Sequence, residues 1–207
     1  MWFDGCLVSL FQAVGERARG FFLGNGMNLV LTGYRCSGKS SVGRILAARL
    51  GMVYCDTDAL VQERTGKDIA TLVAGYGWDH FREQEQKTIE ALARLDSRVI
   101  ATGGGVVLNR ENVRILKANG WFAWLKTGPR ILEKRMRKAQ EKGSIRPSLR
   151  GVDPVEEIRR VLEERIPFYA EAADFVVDTE SLLPEGVAEE IRKAFETTRG
   201  ARAYGRK

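Results

Sequence analysis

The sequence predicts an α/β fold in which a parallel sheet is covered by helices on both faces. Three observations carry that expectation. Short runs rich in β-branched and apolar residues alternate with longer amphipathic stretches, the rhythm of strand, helix, strand. Several runs are apolar at consecutive positions, as strands buried on both faces are. The first run, "NLVLT", leads directly into the glycine-rich "GYRCSGKSS" and then a helical pattern, the strand–turn–helix context of a phosphate-binding loop.

The five expected strands span 28–32, 52–55, 98–102, 121–126 and 174–178. The helix after the first, "KSSVGRILAARLG", carries Val42, Ile45, Leu46, Ala48 and Arg49 at helical spacing and is expected to end at Gly51. "DHFREQEQKTIEALARLD" places Phe81, Ile89, Leu92 and Leu95 on one face and charge on the other. "VDPVEEIRRVLEERIPFYAEAAD" opens with Asp153 as N-cap and Pro154 in the first turn. Pro167 is expected to bend or interrupt that helix.

Residues 1–27 precede the first strand, and Gly15, Gly20, Gly24 and Gly26 break their pattern. They read as an extension outside the core, with the folded unit, and translation with it, starting at Met27. Residues 28–198 are then one domain and 199–207 a basic tail. A chain of 207 residues with 44% hydrophobic and 29% charged residues supports one such core.

No apolar run approaches the roughly 18 residues a membrane span needs. The N-terminus has no positive leader or small-residue cleavage site, so the expected location is cytoplasmic. Cys6, Cys36 and Cys55 are odd in number and lack C-x-x-C spacing, and His80 is the sole histidine. That pattern fits a reduced compartment and argues against a disulfide framework or a zinc site. Net charge is +6, concentrated between Lys126 and Arg150 and in Arg199, Arg202, Arg206 and Lys207. A local excess favours a focused anion site over a nucleic-acid surface.

The loop matches G-x-x-x-x-G-K-[ST] in full, at Gly33, Gly38, Lys39 and Ser40. Backbone N–H groups of Cys36, Ser37, Gly38, Lys39, Ser40 and Ser41 would converge on phosphate oxygens at a helix N-terminus. Lys39 would contact the β- and γ-phosphates of ATP, and Ser40 would ligate Mg²⁺. Cys36 sits at a free position of the motif and reads as a small loop side chain rather than a thiol nucleophile. The second strand ends in "CDTDAL", placing Asp56 and Asp58 at its carboxyl edge, one suited to the Mg²⁺ shell and the other to a hydroxyl. "ATGGGVV" sets Gly103, Gly104 and Gly105 where backbone must approach a ligand closely. Arg82 and Arg165 lie on helical stretches, Arg82 with Glu85 at i+3, which also reads as a surface ion pair.

Taken in order, "GYRCSGKSSVG", "DTDALVQERTGKDI", "FREQE", "VIATGGGVV" and "LEERIPFY...ADFVVDT" resemble the shikimate kinases of the nucleoside-monophosphate-kinase-like P-loop branch. The resemblance implies a three-layer fold with sheet order 2-3-1-4-5, a helical substrate-binding region near 57–95 and a lid near 137–150. It implies transfer of a phosphoryl group from ATP to the shikimate 3-hydroxyl, with Mg²⁺, on the route to chorismate and aromatic amino acids. Asp58 matches the residue holding the shikimate hydroxyls, Arg82 and Arg165 those binding its carboxylate, and Gly103, Gly104 and Gly105 the adjoining backbone. Asp56 matches the residue behind the Mg²⁺ shell, Arg146 the lid arginine that reaches the transferred phosphate, and Arg135 or Arg137 the group that stacks on adenine. Lys39, Asp58 and Arg146 are the expected catalytic residues. The chain departs from the family at Ser148, in "RPSL", and at Trp78, where an acidic residue is frequent. The expected partner is shikimate alone, taken by a monomer without nucleic acid or membrane. The competing readings are another P-loop kinase, acting on gluconate or a nucleoside monophosphate, and a non-catalytic nucleotide-binding regulator.

Overall fold

A computed structural model describes residues 26–141 and 155–204 of the chain. Five strands, β1 (Asn28–Thr32), β2 (Val53–Asp56), β3 (Arg98–Ala101), β4 (Gly120–Lys126) and β5 (Phe175–Asp178), form one sheet in the order β2-β3-β1-β4-β5. All pairs are parallel, and β1 is central, with Leu29 opposite both Val99 and Trp121. The expected strands match these within a residue at either end.

Seven helices are described. These are α1 (Lys39–Leu50), α2 (Thr57–Thr65), α3 (Ile69–Leu92), α4 (Arg110–Lys117), α5 (Pro129–Glu141), α6 (Ile158–Ala172) and α7 (Pro184–Tyr204). The alternation along β1 sorts them into layers. Leu29 and Leu31 join α1 and α7 through Leu46, Ala47, Leu50, Val187, Ile191 and Phe195. Val30 faces the other way, with Ile89 of α3, Leu116 of α4 and Tyr169 of α6. Each large side chain fully buried in these layers contributes about 1.5–3 kcal/mol, so the central strand is held from both faces.

Several expectations are corrected here. On α1 the buried stripe is Val42, Leu46, Ala47 and Leu50, and Ala48 and Arg49 are exposed. The helix meets both sheet and α7, which sets its buried face; its end at Gly51, φ 62°, is as expected. Residues 57–76, not read as helical from periodicity, form α2 and the first half of α3, which breaks at Gly77 (φ 80°, ψ 171°). Val61, Leu72 and Phe81 make a small separate core there. Pro167 does not interrupt α6, which continues to Ala172. Met27, where the folded unit was expected to start, is 4% exposed and packs in the main core. The basic tail is not separate either, because α7 runs through Gly200 to Tyr204. Asp153, Pro154 and most of the extension lie outside the described residues.

Candidate active site

The carboxyl ends of β1, β2 and β3 open onto one cleft of about 650 Å³, the edge at which open parallel sheets bind ligands. Its floor is the loop from Arg35 to Ser41. Gly38 holds φ 104°, a conformation open to glycine, and hands the chain directly into α1. Cys36 also has positive φ, 64°, although it carries a side chain. Lys39 is 8% exposed, and its Nζ donates to the carbonyls of Gly33 and Tyr34, each at 2.7 Å. The ammonium therefore lies within the turn of the loop. Arg135 of α5 donates to the Ser37 carbonyl (3.2 Å) and the Thr179 carbonyl (2.8 Å) and lines the cleft. Arg137 is exposed and is not among the residues lining it.

Asp56 joins this floor to the neighbouring strand. Its Oδ2 accepts from Ser40 Oγ (3.1 Å) and from the Tyr54 hydroxyl (3.0 Å). Its Oδ1 caps α2, accepting from the amides of Asp58 (3.1 Å) and Ala59 (3.3 Å). Burial, ahead of the nearby Asp56 charge, pushes the Tyr54 phenol up to about 12, so it stays a donor. A serine hydroxyl beside a carboxylate is the oxygen donor set Mg²⁺ takes, and the remaining ligands come from phosphate and water. Ser40 and Asp56 thus fit the ion expected there.

The acceptor side is organised around the three glycines. Thr57 Oγ1 accepts from the Gly103 amide at 2.8 Å. A Cβ at Gly103 would lie 2.7 Å from both Asp58 Oδ1 and Glu85 Oε1, and one at Gly105 would collide with the Arg82 guanidinium. The Gly104 carbonyl accepts from Arg165 Nη1 (3.1 Å) and the Tyr169 hydroxyl (2.6 Å). The missing Cβ atoms at Gly103 and Gly105 leave room for two carboxylates and the Arg82 guanidinium to close on this turn. Asp58 and Gly104 line this cleft.

The Arg82–Glu85 pair, expected on the surface, is a correction. Arg82 Nη1 meets Glu85 Oε2 at 2.6 Å, but the Glu85 side chain is only 1% exposed. Burial pushes the Glu85 carboxyl above its ordinary range; the Arg82 guanidinium opposes this and the Asp58 charge adds to it. Oε1 has no hydrogen-bond partner among the described residues. Arg82 is itself flanked by aromatic rings, its Cζ 5.6 Å from the Trp78 ring centre and 5.2 Å from that of Phe81.

Tyr169, Thr57 and Tyr54 were not singled out in the sequence, and Glu85 was read only as the i+3 partner of Arg82. It sits midway in the buried stripe Phe81, Thr88, Ile89 and Leu92, a carboxylate on an apolar face. A buried bridge from Arg35 to Glu157 ties the loop to the start of α6. Arg146 and residues 142–150 of the expected lid lie outside the described residues. Among the described residues, no helix is long and apolar enough to cross a membrane.

Against known proteins, the chain matches the shikimate kinase family over residues 35–196. It is 38% identical to a shikimate kinase of Thermodesulfovibrio yellowstonii, across 82% of this chain and 95% of the relative. It is 48% identical to one of Nitratidesulfovibrio vulgaris, across 71% and 83% respectively. Among solved structures, shikimate kinase from Acinetobacter baumannii in complex with shikimate superposes with a TM-score of 0.76 at 28% identity, covering 83% of this chain and 94% of that one.

Proposed function

The chain belongs to the shikimate kinase family and is an ATP-dependent small-molecule kinase, and from that membership we infer how its residues divide the reaction. The reaction is transfer of the γ-phosphoryl group of ATP to the 3-hydroxyl of shikimate, giving shikimate 3-phosphate and ADP for aromatic amino-acid synthesis. The observation that carries the assignment of residues is the gathering of Asp58, Glu85, Arg82 and Arg165 around Gly103 to Gly105, beside the loop that holds Lys39. A small anionic polyol needs a guanidinium for its carboxylate and acceptors for its hydroxyls. Arg82 and Arg165 supply the first. Asp58 supplies the second, joined by the unpartnered Glu85 Oε1.

Catalysis of this transfer is mainly positioning and charge neutralisation. Lys39 moves from the Gly33 and Tyr34 carbonyls onto phosphate oxygens and stabilises charge on the transferred group. Ser40 and Asp56 would hold Mg²⁺, which would offset the negative charge of the nucleotide phosphates. Asp58 orients the acceptor hydroxyl, or takes its proton, and Arg146 is the residue we assign, from the family resemblance, to the transferred phosphate. Arg135 covers the adenine side. One chain furnishes both halves of the cleft, which supports a monomer.

A coupled ADP-release assay across shikimate, gluconate and nucleoside monophosphates tests the reading. ADP release is expected with shikimate only. Turnover of gluconate would reassign the acceptor. No turnover together with salt-dependent binding of DNA or RNA would favour the regulator instead.

A further inference from the structure

We propose that Tyr54 is a positioning residue, whose hydroxyl holds the Asp56 carboxylate in the orientation that serves nucleotide-bound Mg²⁺. The proposal rests on the reading that Ser40 and Asp56 serve that ion. Four hydrogen bonds converge on Asp56, two on each oxygen. The Oδ1 bonds belong to the first turn of α2 and fix that oxygen to backbone. Oδ2 is held by side chains alone, Ser40 and Tyr54. Once Ser40 engages a metal ion, Tyr54 is the remaining side-chain donor on Oδ2, and it sets the carboxylate plane together with the two amides on Oδ1.

The phenol is itself fixed in place. Its ring fills the hollow above Gly43 of α1, where a Cβ would come within 2.6 Å of ring carbon Cε2. The Arg44 guanidinium lies 5.3 Å from the ring centre. The ring is thus clamped from α1, the same helix whose first turn carries Ser40, so hydroxyl, carboxylate and serine share one rigid frame. A phenylalanine would fill the hollow equally well. Only the hydroxyl reaches Asp56, and that atom is what the proposal concerns.

The test compares Tyr54→Phe and Asp56→Asn with the unaltered chain, using calorimetric binding of ADP with and without Mg²⁺ and steady-state kinetics. Tyr54→Phe is expected to weaken ADP binding about five-fold in the presence of Mg²⁺, the size of one lost hydrogen bond. Metal-free ADP binding should be unchanged, and the shikimate KM should stay within about two-fold. Equal weakening with and without Mg²⁺ would mark a packing defect and overturn the proposal. So would a Tyr54→Phe enzyme with normal Mg²⁺-dependent binding when Asp56→Asn has lost it; the Ser40 and Asp56 reading would then stand without Tyr54. If Asp56→Asn itself binds ADP normally in Mg²⁺, that reading fails and the proposal falls with it.

Discussion

The two halves of the cleft are made of different material. The nucleotide half is built on one continuous loop, residues 33–41, where the Gly33 and Tyr34 carbonyls hold the Lys39 ammonium and the residues from Arg35 to Ser41 line the cleft. The acceptor half is drawn from β2–α2, α3, the β3 loop and α6, and it consists of charged side chains packed against glycines. A backbone cradle depends on its φ angles and tolerates changes of neighbouring side chains. A cluster of buried charges depends on every partner, because removing one leaves another uncompensated.

The largest break should come from Lys39. Lys39→Ala is expected to lower kcat by about 10² or more, as removing a transition-state charge contact does, with the loop still folded; near-normal kcat in steady-state kinetics would take Lys39 out of the reaction. Next is Arg82→Ala, expected to raise the shikimate KM by about 10-fold or more while leaving ATP affinity close to normal. Because Glu85 then loses its cation, the variant should also lose stability. Adding Glu85→Gln should restore the melting temperature but not the KM, and parallel recovery of both would show that Arg82 is only structural.

Glu85 gives the acceptor half a pH signature. Its folded pKa is raised, so the native state holds the proton more tightly than the unfolded chain does. The associated stability is present below the unfolded glutamate value of about 4.3 and is lost as pH rises through the folded value. Urea midpoints of the unaltered chain relative to Glu85→Gln should therefore fall with rising pH over that window; parallel curves would refute a raised value. The smallest effect belongs to the loop. Cys36→Gly relieves a left-handed backbone and should stabilise by about 0.5 kcal/mol after the added freedom of the unfolded chain is counted. Its activity should be unchanged, and a lower melting temperature would mean that the side chain's packing outweighs the backbone relief.

The same contrast explains how much could be read from sequence. The loop is contiguous, so its glycines, lysine and serine identified the phosphate site from residues 33–41 alone. The strands were legible because β1 and β4 are apolar at successive positions, as a doubly covered sheet requires. The acceptor cluster was legible only through several motifs together, and its environment was not. The i+3 spacing of Arg82 and Glu85 describes the helix, whereas the burial of Glu85 comes from Gly103 and β3 on another part of the chain. The hydroxyl partners of Tyr169 and Tyr54, the Gly104 carbonyl and the Asp56 carboxylate, appear only in three dimensions. Ala48 and Arg49 were misplaced because two neighbours, sheet and α7, select the inner face of α1.

The cap on α2 has an experimental consequence of its own. The amides of Asp58 and Ala59 are protected by a side-chain oxygen rather than by a preceding turn of helix. Their exchange with deuterium reports the attachment of a single carboxylate, in a segment where neighbouring protection comes from ordinary helical bonds. Two backbone signals can thus register how firmly Asp56 is seated when nucleotide or acceptor arrives, without a label and without turnover.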